Sequence, residues 1–509
     1  MNYEPGILNP GTMEPGKTIY FLGTAKYGPI YEPVLVNNEN DAIRIFGSPY
    51  ESPLTKAFMM FQQSGGEEAF LFRITGRNAK VELYGPIGIV VEFYAQNAGV
   101  IGNTFRISVF QDKLSFSYSN NGQAITSEYF YEEYDTVGYL CKTINQTIGN
   151  VIEAVAIEPS FVTANLPQYN ITYNSFNGGD DGLDVTKNEL YYGLETALNL
   201  LEGKHIDLIV PVGMYVDDVQ PLHYITDPSY GDMYYVADRD YLDIDLDNGE
   251  KAGYHKLLIS FARKQLFLGT FTHIIMGMNP IPKTFPAGYS HTFKIAQASP
   301  VGRQDGFRLW SYNNWYDVGH YVSVCYGDCK YFKDTGLETI DNWYITYAAI
   351  WIRSGYGEST TGMSIQGVET VQDFEDVLED LATLGIVTYR YSPVKGWCVA
   401  AGVTQALPTN PFYYAPNIKI VQRTLSKLYE DIMIFKDNDD TPVITRTTLS
   451  KVIERSIDQR KNIEKIITDY DYTITVDPNT DIIYIELWLY TPFTMEAIVT
   501  TSRATIRMG

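Results

Sequence analysis

Cysteine is nearly absent from this chain of 509 residues, whose four are Cys141, Cys325, Cys329 and Cys398. They are too scattered for a disulfide framework, so a small stapled scaffold is excluded and reduced thiols are expected. Cys325 and Cys329 stand at C-x3-C spacing, but no second Cys or His pair follows at zinc-ligand distance. Charge is scarce too, at 19% of residues, with 38 Lys and Arg against 61 Asp and Glu and a formal net charge of −23. A globally basic nucleic-acid binder is thereby excluded, because neutralising phosphates needs surplus cations. Any basic surface has to be local. No run approaches the roughly 18 consecutive apolar residues of a membrane span, and MNYEPGILNP has neither a basic nor an apolar leader segment. The expectation is a chain made and kept in the cytosol, with no direct membrane binding.

What the sequence has instead is tyrosine, 41 residues against 24 Phe and 6 Trp. Tyr packs a large ring and keeps a wet hydroxyl, as repeated protein interfaces require; Tyr-rich strands are the plainer reading. Hydrophobic residues make up 45%, a globular composition, and at roughly 100 to 200 residues per domain the length suggests about three domains.

Residues 1–16 are dominated by Pro, Gly and Asn and read as an extended arm. A strand follows at Ile19 to Leu22. From 82 to 176 short alternating runs, such as Gly88 to Phe93, Thr104 to Phe110 and Lys113 to Tyr118, are broken by Gly and Asn turns, which predicts a small all-β module. Beyond Asn177 the period changes. Lys187 to Glu202 carries Leu190, Leu194, Leu198 and Leu201 at helical spacing, and Ile206 to Val210, apolar except for Asp207, suits a strand buried on both faces. Helical segments at His255 to Phe267, Trp343 to Ile352 and Phe374 to Leu384 alternate with strand-like Thr272 to Met276, Tyr321 to Cys325 and Ile386 to Tyr389. That alternation implies an α/β layer with a mostly parallel sheet. Then come Ile418 to Phe435, an amphipathic stretch from Arg446 to Ile467, a hairpin pairing Tyr472 to Val476 with Ile482 to Leu489, and a strand-like tail, Ala497 to Met508.

Gly11-Thr-Met-Glu-Pro-Gly16-Lys17-Thr18 satisfies the P-loop pattern G-x4-G-K-[ST]. A phosphate cradle, however, needs a buried strand leading in and a helix leading out. Here the lead-in is NYEPGILNP, Pro15 removes a loop amide, Glu14 would face the phosphates, and IYFLGTA reads as a strand. The plainer reading is an arm meeting a strand. Asp243, Asp245 and Asp247 resemble the start of a calcium loop, but Gly249 comes one position late and Tyr254 stands where the closing acid belongs. The elbow G-x-S-x-G is absent, and the six histidines sit in unrelated contexts, so no catalytic residues, no metal ligands and no cofactor are assigned. In Arg446 to Ile467, Leu449, Val452, Ile453, Ile457, Ile463 and Ile467 fall on one side. Lys451, Arg455, Lys461 and Lys465 fall opposite, together with Glu454 and Asp458. This face is either solvated and laced by i,i+3 and i,i+4 pairs or a local cationic patch on an anionic chain.

An ordered set of segments resembles the contractile tail sheath protein of tailed bacteriophages, of the myovirus type. It comprises Pro5-Gly6, Gly23-Thr-Ala-Lys-Tyr-Gly28-Pro29, Val34 to Val36, Ile45-Phe46-Gly47, Ala95-Gln-Asn-Ala-Gly99-Val-Ile-Gly102-Asn103 and Asn177-Gly-Gly-Asp-Asp-Gly182. Leu381 to Ile386, Gly396-Trp397 and Tyr470 to Met508 complete it. The resemblance implies an α+β multidomain chain: an arm at 1–16, the N-terminal part of the sheath core at 17–95 and a β-sandwich insertion at 96–176. A central α/β layer, subtilisin-like in fold alone, follows at 177–408, and a C-terminal α+β sheath domain with a terminal strand arm at 409–509. No protease residues are carried over, since none can be matched. The arm is shorter than in many relatives, which puts its reach between subunits in doubt. Implied is a non-enzymatic homo-oligomer, a helical sheath of stacked rings around a tail tube, that contracts to drive the tube through the host envelope during genome ejection. Its partners would be the tube protein, the baseplate and the tail terminator or neck proteins, without nucleic acid, and its location the virion tail after assembly in the host cytoplasm. Tube contact falls to Lys451, Arg455, Lys461 and Lys465. Strand exchange between subunits falls to Tyr3, Ile7, Leu8, Ile498, Thr500, Arg503, Thr505 and Arg507. The alternatives are a P-loop NTPase assembly motor built on Gly11 to Thr18 and a subtilisin-type hydrolase.

Overall fold

In the computed structural model of the chain the described residues are 17–490 and 501–508, without 97–98, 121–122, 150, 217–221, 227–232, 238–252, 279–306, 312–313, 334, 356–357, 372–373, 375–376, 438–445, 466 and 478–481. The stretch Ile19 to Leu22 forms β1 (Ile19–Gly23), in which every residue is buried. An apolar run of this kind belongs in the middle of a sheet covered on both faces. It is followed by β2 (Pro33–Val36), α1 (Glu39–Phe46), α2 (Pro53–Gln63) and β3 (Ala69–Arg73). Asn38 caps α1 by accepting the Asp41 amide, and Ser52 caps α2 with Pro53 in its first turn, as helix N-termini favour.

The chain then leaves the central sheet. β4 (Lys80–Gly85), β5 (Gly88–Ala95) and β9 (Ile152–Ala156) form one antiparallel sheet, and β6 (Arg106–Val109), β7 (Lys113–Asn120), β8 (Gln123–Phe130) and β10 (Tyr173–Ser175) form another. Both contribute to a second core, separate from the main one, that runs from Ala79 to Phe176. Phe93 of β5 meets Phe116 of β7 edge to face at 5.0 Å. The module is not all-β. α3 (Val137–Thr147), capped by Thr136, buries Val137, Leu140, Cys141 and Ile144, an i, i+3, i+4, i+7 set that prevails over the β-rich surroundings. The second core starts at Ala79, because β4 and β5, which precede residue 96, pair with each other and with β9.

The two ends of the module meet in a narrow neck. Arg77 N–H donates to Asp180 O at 2.9 Å and Lys80 N–H to Asn177 O at 2.9 Å. Asn103 and Gly179 exchange two further hydrogen bonds, both 2.9 Å. Gly99 is held at φ +127°, and a Cβ on it would lie 2.3 Å from Asp181 Oδ1, so this close approach admits only glycine. Buried Arg73 at the end of β3 donates to Gly28 O at 2.9 Å and Asp181 O at 2.7 Å, tying the sheet to the neck.

Excision from Lys80 through Asn177, bridged by a short linker, is expected to leave the main core folded with an unchanged Tm. Excision of only 96–176 is expected to aggregate, because Val81, Leu83, Val91 and Phe93 then lose the surface that buries them. Equal solubility of the two shortened chains in gel filtration would contradict this boundary.

Past the neck, α4 (Lys187–Leu201) opens with a Thr186/Glu189 capping box and leads to β11 (Leu208–Pro211). α5 (Tyr254–Phe267), β12 (His273–Gly277), β13 (Val322–Cys325), α6 (Tyr344–Arg353) and β14 (Ile386–Val387) follow. The main sheet has the order β2-β3-β1-β11-β12-β13-β14. All its pairings are parallel except β2 with β3, as the alternating pattern implied. α6 is buried from Tyr344 through Trp351, a helix apolar all round and therefore interior. Of the predicted helix at 374–384, only Leu378–Thr383 is helical among the described residues, and Phe374 is buried outside it.

Candidate functional site

The C-terminal region is built from α7 (Ala415–Asp437), α8 (Arg446–Gln459) and a sheet of β15 (Asp469–Asp477), β16 (Ile482–Tyr490) and β17 (Thr501–Met508), with β16 in the middle. Ile418, Val421, Leu425, Leu428 and Ile432 of α7 and Leu449, Ile453 and Ile457 of α8 are buried in the main core, so the two amphipathic stripes fold as their spacing predicts. Of the predicted cations, Lys451 and Arg455 lie on the far face of α8, Lys461 in the turn that follows it and Lys465 just beyond that turn. Lys451, Arg455 and Lys465 are exposed and make no ion pair among the described residues. Lys461 is drawn aside: its Nζ bonds Asp469 at 2.7 Å and sits 5.8 Å from the Tyr470 ring centroid. The Lys461 ammonium and the Tyr470 amide hold the Asp469 carboxyl below the usual range.

Glu454 and Asp458, which lie among these cations, each accept a tyrosine hydroxyl from β15. Tyr472 donates to Glu454 at 2.7 Å and Tyr470 to Asp458 at 3.0 Å. The two rings stack at 6.4 Å, and burial, then Asp458, push the Tyr470 phenol up. Sequence reasoning missed both tyrosines. Their i, i+2 spacing on a strand, which puts them on one face, was the available signal.

The apolar stripe itself departs from expectation. Ile463 is 74% exposed, while Arg460 is buried at 1%. The cause is a π turn at Arg460–Glu464, which adds a residue to the helical repeat and ends at Lys465 with φ +57°. Arg460 donates to Ser456 O and Oγ, its Nε has no acceptor, and burial lowers its pKa.

Of the predicted strand-exchange residues, Tyr3, Ile7, Leu8, Ile498 and Thr500 lie outside the described residues. Arg503, Thr505 and Arg507 lie on β17, opposite Trp488, Glu486 and Tyr484 of the chain's own β16. The first described residues are Lys17 and Thr18, and the Thr18 N–H donates to buried Asp207 Oδ2 at 3.0 Å. Asp207 also faces Ser426 of α7 at 3.3 Å and His205 at 3.4 Å. Lys17 and Thr18 therefore lead into a strand, with no helix at the place where a P-loop needs one. The Asp243 to Asp247 run lies outside the described residues.

Outside the carboxyl ends of β1 and β11, where the strand order reverses, lies a cleft of about 600 Å³ lined by Lys26, Tyr50, Lys56, Tyr215, Asp341 and Tyr344, among others. Its cations are paired, Lys56 with Asp341 at 2.9 Å and Lys26 with Glu51, and no histidine or cysteine lines it. His273 stands elsewhere, stacked on Trp351 at 4.4 Å with Nε2 3.0 Å from Ser323. Burial pushes its pKa down to about 3, which keeps the imidazole neutral. Among the described residues no group of three or more His, Cys, Asp and Glu is placed to hold a metal, and no helix is long and apolar enough to cross a membrane.

Lys419 of α7 carries its ammonium into the interior, where it donates to Trp351 O at 3.0 Å and to Ser354 at the end of α6. Burial pulls its pKa down to about 7. The unfolded chain keeps that proton up to about pH 10.5, so wild-type stability should rise between pH 7 and 10.5 by roughly 3 to 5 kcal/mol relative to Lys419→Met. Thermal melts of both chains across that window test this, and a constant difference in Tm would contradict it.

No family model matches the sequence, and no curated protein does. Among solved structures, the sheath tail protein Lin1278 from Listeria innocua aligns at TM-score 0.54 and 13% identity over 97% of this chain and 96% of that one. The sheath tail protein DSY3957 from Desulfitobacterium hafniense aligns at 0.48 and 13%, over 100% and 99%. The helical sheath of the anti-feeding prophage in its contracted state aligns at 0.47 and 9%, over 98% and 97%. The likeness to Lin1278 shows a shared mixed α/β fold of several sheets.

Proposed function

We propose that this chain is a contractile sheath subunit, a structural protein of a phage-type tail that polymerises helically around an inner tube and contracts to drive the tube through the host envelope during genome ejection. The observation that carries the reading is the end-to-end sharing of its fold with a protein described as a sheath tail protein. Supporting it are a C-terminal strand on a sheet edge and three exposed cations, on and just beyond α8, that make no ion pair among the described residues of a net anionic chain. Open helical filaments arise from heterologous, non-closing contacts, which such edges and patches can supply.

In this reading the seven-stranded sheet and its helices are the subtilisin-like layer, the second core is the β-sandwich insertion on the outer side, and residues 409–509 complete the subunit around the tube. Lys451, Arg455, Lys461 and Lys465 grip the tube, and the two terminal arms exchange strands with neighbours. Baseplate and neck proteins would bind the ends of the stack. The energy of contraction resides in a metastable extended lattice, so no nucleotide is consumed. Negative-stain microscopy of the purified chain is the test: tubes or stacked rings support the reading, whereas discrete monomers that turn over ATP would replace it with a nucleotide-driven motor.

A further inference from the structure

Four departures from ordinary helix chemistry fall within six residues. Arg460 is buried with an unpartnered Nε, a π turn begins at it, Ile463 is exposed although Leu449, Ile453, Ile457 and Ile467 are buried, and Lys465, not a glycine, occupies the left-handed region. Each is unfavourable alone, and such features concentrate where a segment has a second arrangement available. The sequence specifies what that arrangement is. Continued as an α-helix from α8, residue 463 falls at the edge of the apolar stripe, within about 40° of Leu449 and about 20° of Val452, because each residue turns the helix by about 100°, and the π turn swings it away from that edge.

We propose that residues 460–465 are a two-register hinge. In the π register of the free subunit Ile463 faces outward, Lys461 is tied to Asp469 and Lys465 closes the turn. In the α register Ile463 joins the core stripe and the two lysines are carried round the helix, releasing Lys461 from Asp469. The register thus decides which cations stand on the outer face. Its use in assembly rests on the sheath reading above, but its existence does not.

The test uses thiol labelling, since all four native cysteines are buried. Ile463→Cys in the free full-length chain should react rapidly. Arg460→Leu removes the buried, unpartnered guanidinium and makes the stripe continuous, and the thiol introduced by Ile463→Cys should then react at least tenfold more slowly, while a Val394→Cys control, 92% exposed, reacts alike in both backgrounds. If Arg460→Leu does not fold, Arg460→Met, apolar and closer in length to the native side chain, should give the same slowing. Lys465→Gly, suited to the left-handed turn, should keep the introduced thiol fast and raise the subunit concentration needed for polymerisation at least fivefold. Unchanged labelling of that thiol in folded chains carrying Arg460→Leu or Arg460→Met would overturn the proposal. So would a Lys465→Gly chain that polymerises like wild type with the thiol equally protected, since a neighbour's surface would then be the cover. If wild type forms no polymer at all, the sheath reading fails, and the free-chain labelling still decides between one register and two.

Discussion

Changing Lys451, Arg455, Lys461 and Lys465 together to Glu is expected to abolish tube-templated assembly while the subunit remains folded and soluble. None of the four side chains is part of the buried core, so the folded state loses little. A sheath must hold its tube before firing and let go as subunits move outward, which argues against a large apolar contact. Exposed ion pairs suit that need: each contributes about 0.2 to 1 kcal/mol, yet a lattice repeats them many times. The expected readout is loss of co-sedimentation with the cognate tube. Wild-type co-sedimentation should weaken as salt approaches about 1 M, where the Debye length is about 3 Å. Co-assembly indifferent to both manipulations would place the tube contact elsewhere. Arg455→Glu alone should give a partial loss, because Tyr470 and Tyr472 hold the neighbouring carboxylates independently of it.

The second large effect concerns β17. In the single chain it covers the open side of β16 through eight residue pairs, from Ile483–Met508 to Tyr490–Thr501. The same backbone pattern could be satisfied by a neighbour's strand, so exchange needs no new chemistry, only a change of partner. Glu486 and Thr505 lie directly opposite, so cysteines at both positions should form a disulfide that holds β17 at home. Long tubes should be lost on oxidation and regained on reduction, as measured by sedimentation, with the reduced chain as its own control. Tubes of undiminished length from the oxidised chain would refute strand exchange through this end.

Much of this architecture was legible because local periodicity and burial agree. β1 and β11 are uninterrupted apolar runs and occupy the middle of the sheet; α4, α5 and α7 follow their stripes. The misses have physical reasons. α3 carried a proper 3.6-residue pattern but sat among β-hairpins, and the surroundings outweighed its period in the reading. Ile463 was assigned to the core because a helical wheel assumes a constant step, which the π turn breaks. The tyrosine excess is divided between interior and surface. Tyr331 and Tyr347 are interior, with hydroxyls bonded to Thr346 and Thr360, whereas Tyr50, Tyr139 and Tyr414 are exposed. In the candidate site the cations were visible from spacing alone. The pairing of Lys461 with Asp469 was not, because it depends on where the chain returns after the turn.

The neck beneath the second core determines how load passes through the molecule. Because Arg77 and Asp180 are bonded backbone to backbone, as are Lys80 and Asn177, tension between β3 and α4 is carried across those few bonds and bypasses the module between them. The module is wired in parallel with the main sheet rather than in series. A chain pulled from both sides of the neck can therefore transmit force without stretching the module. In single-molecule pulling from positions flanking the neck, the main sheet and the module should yield as separate events, with the module's contour length released only after the neck has opened.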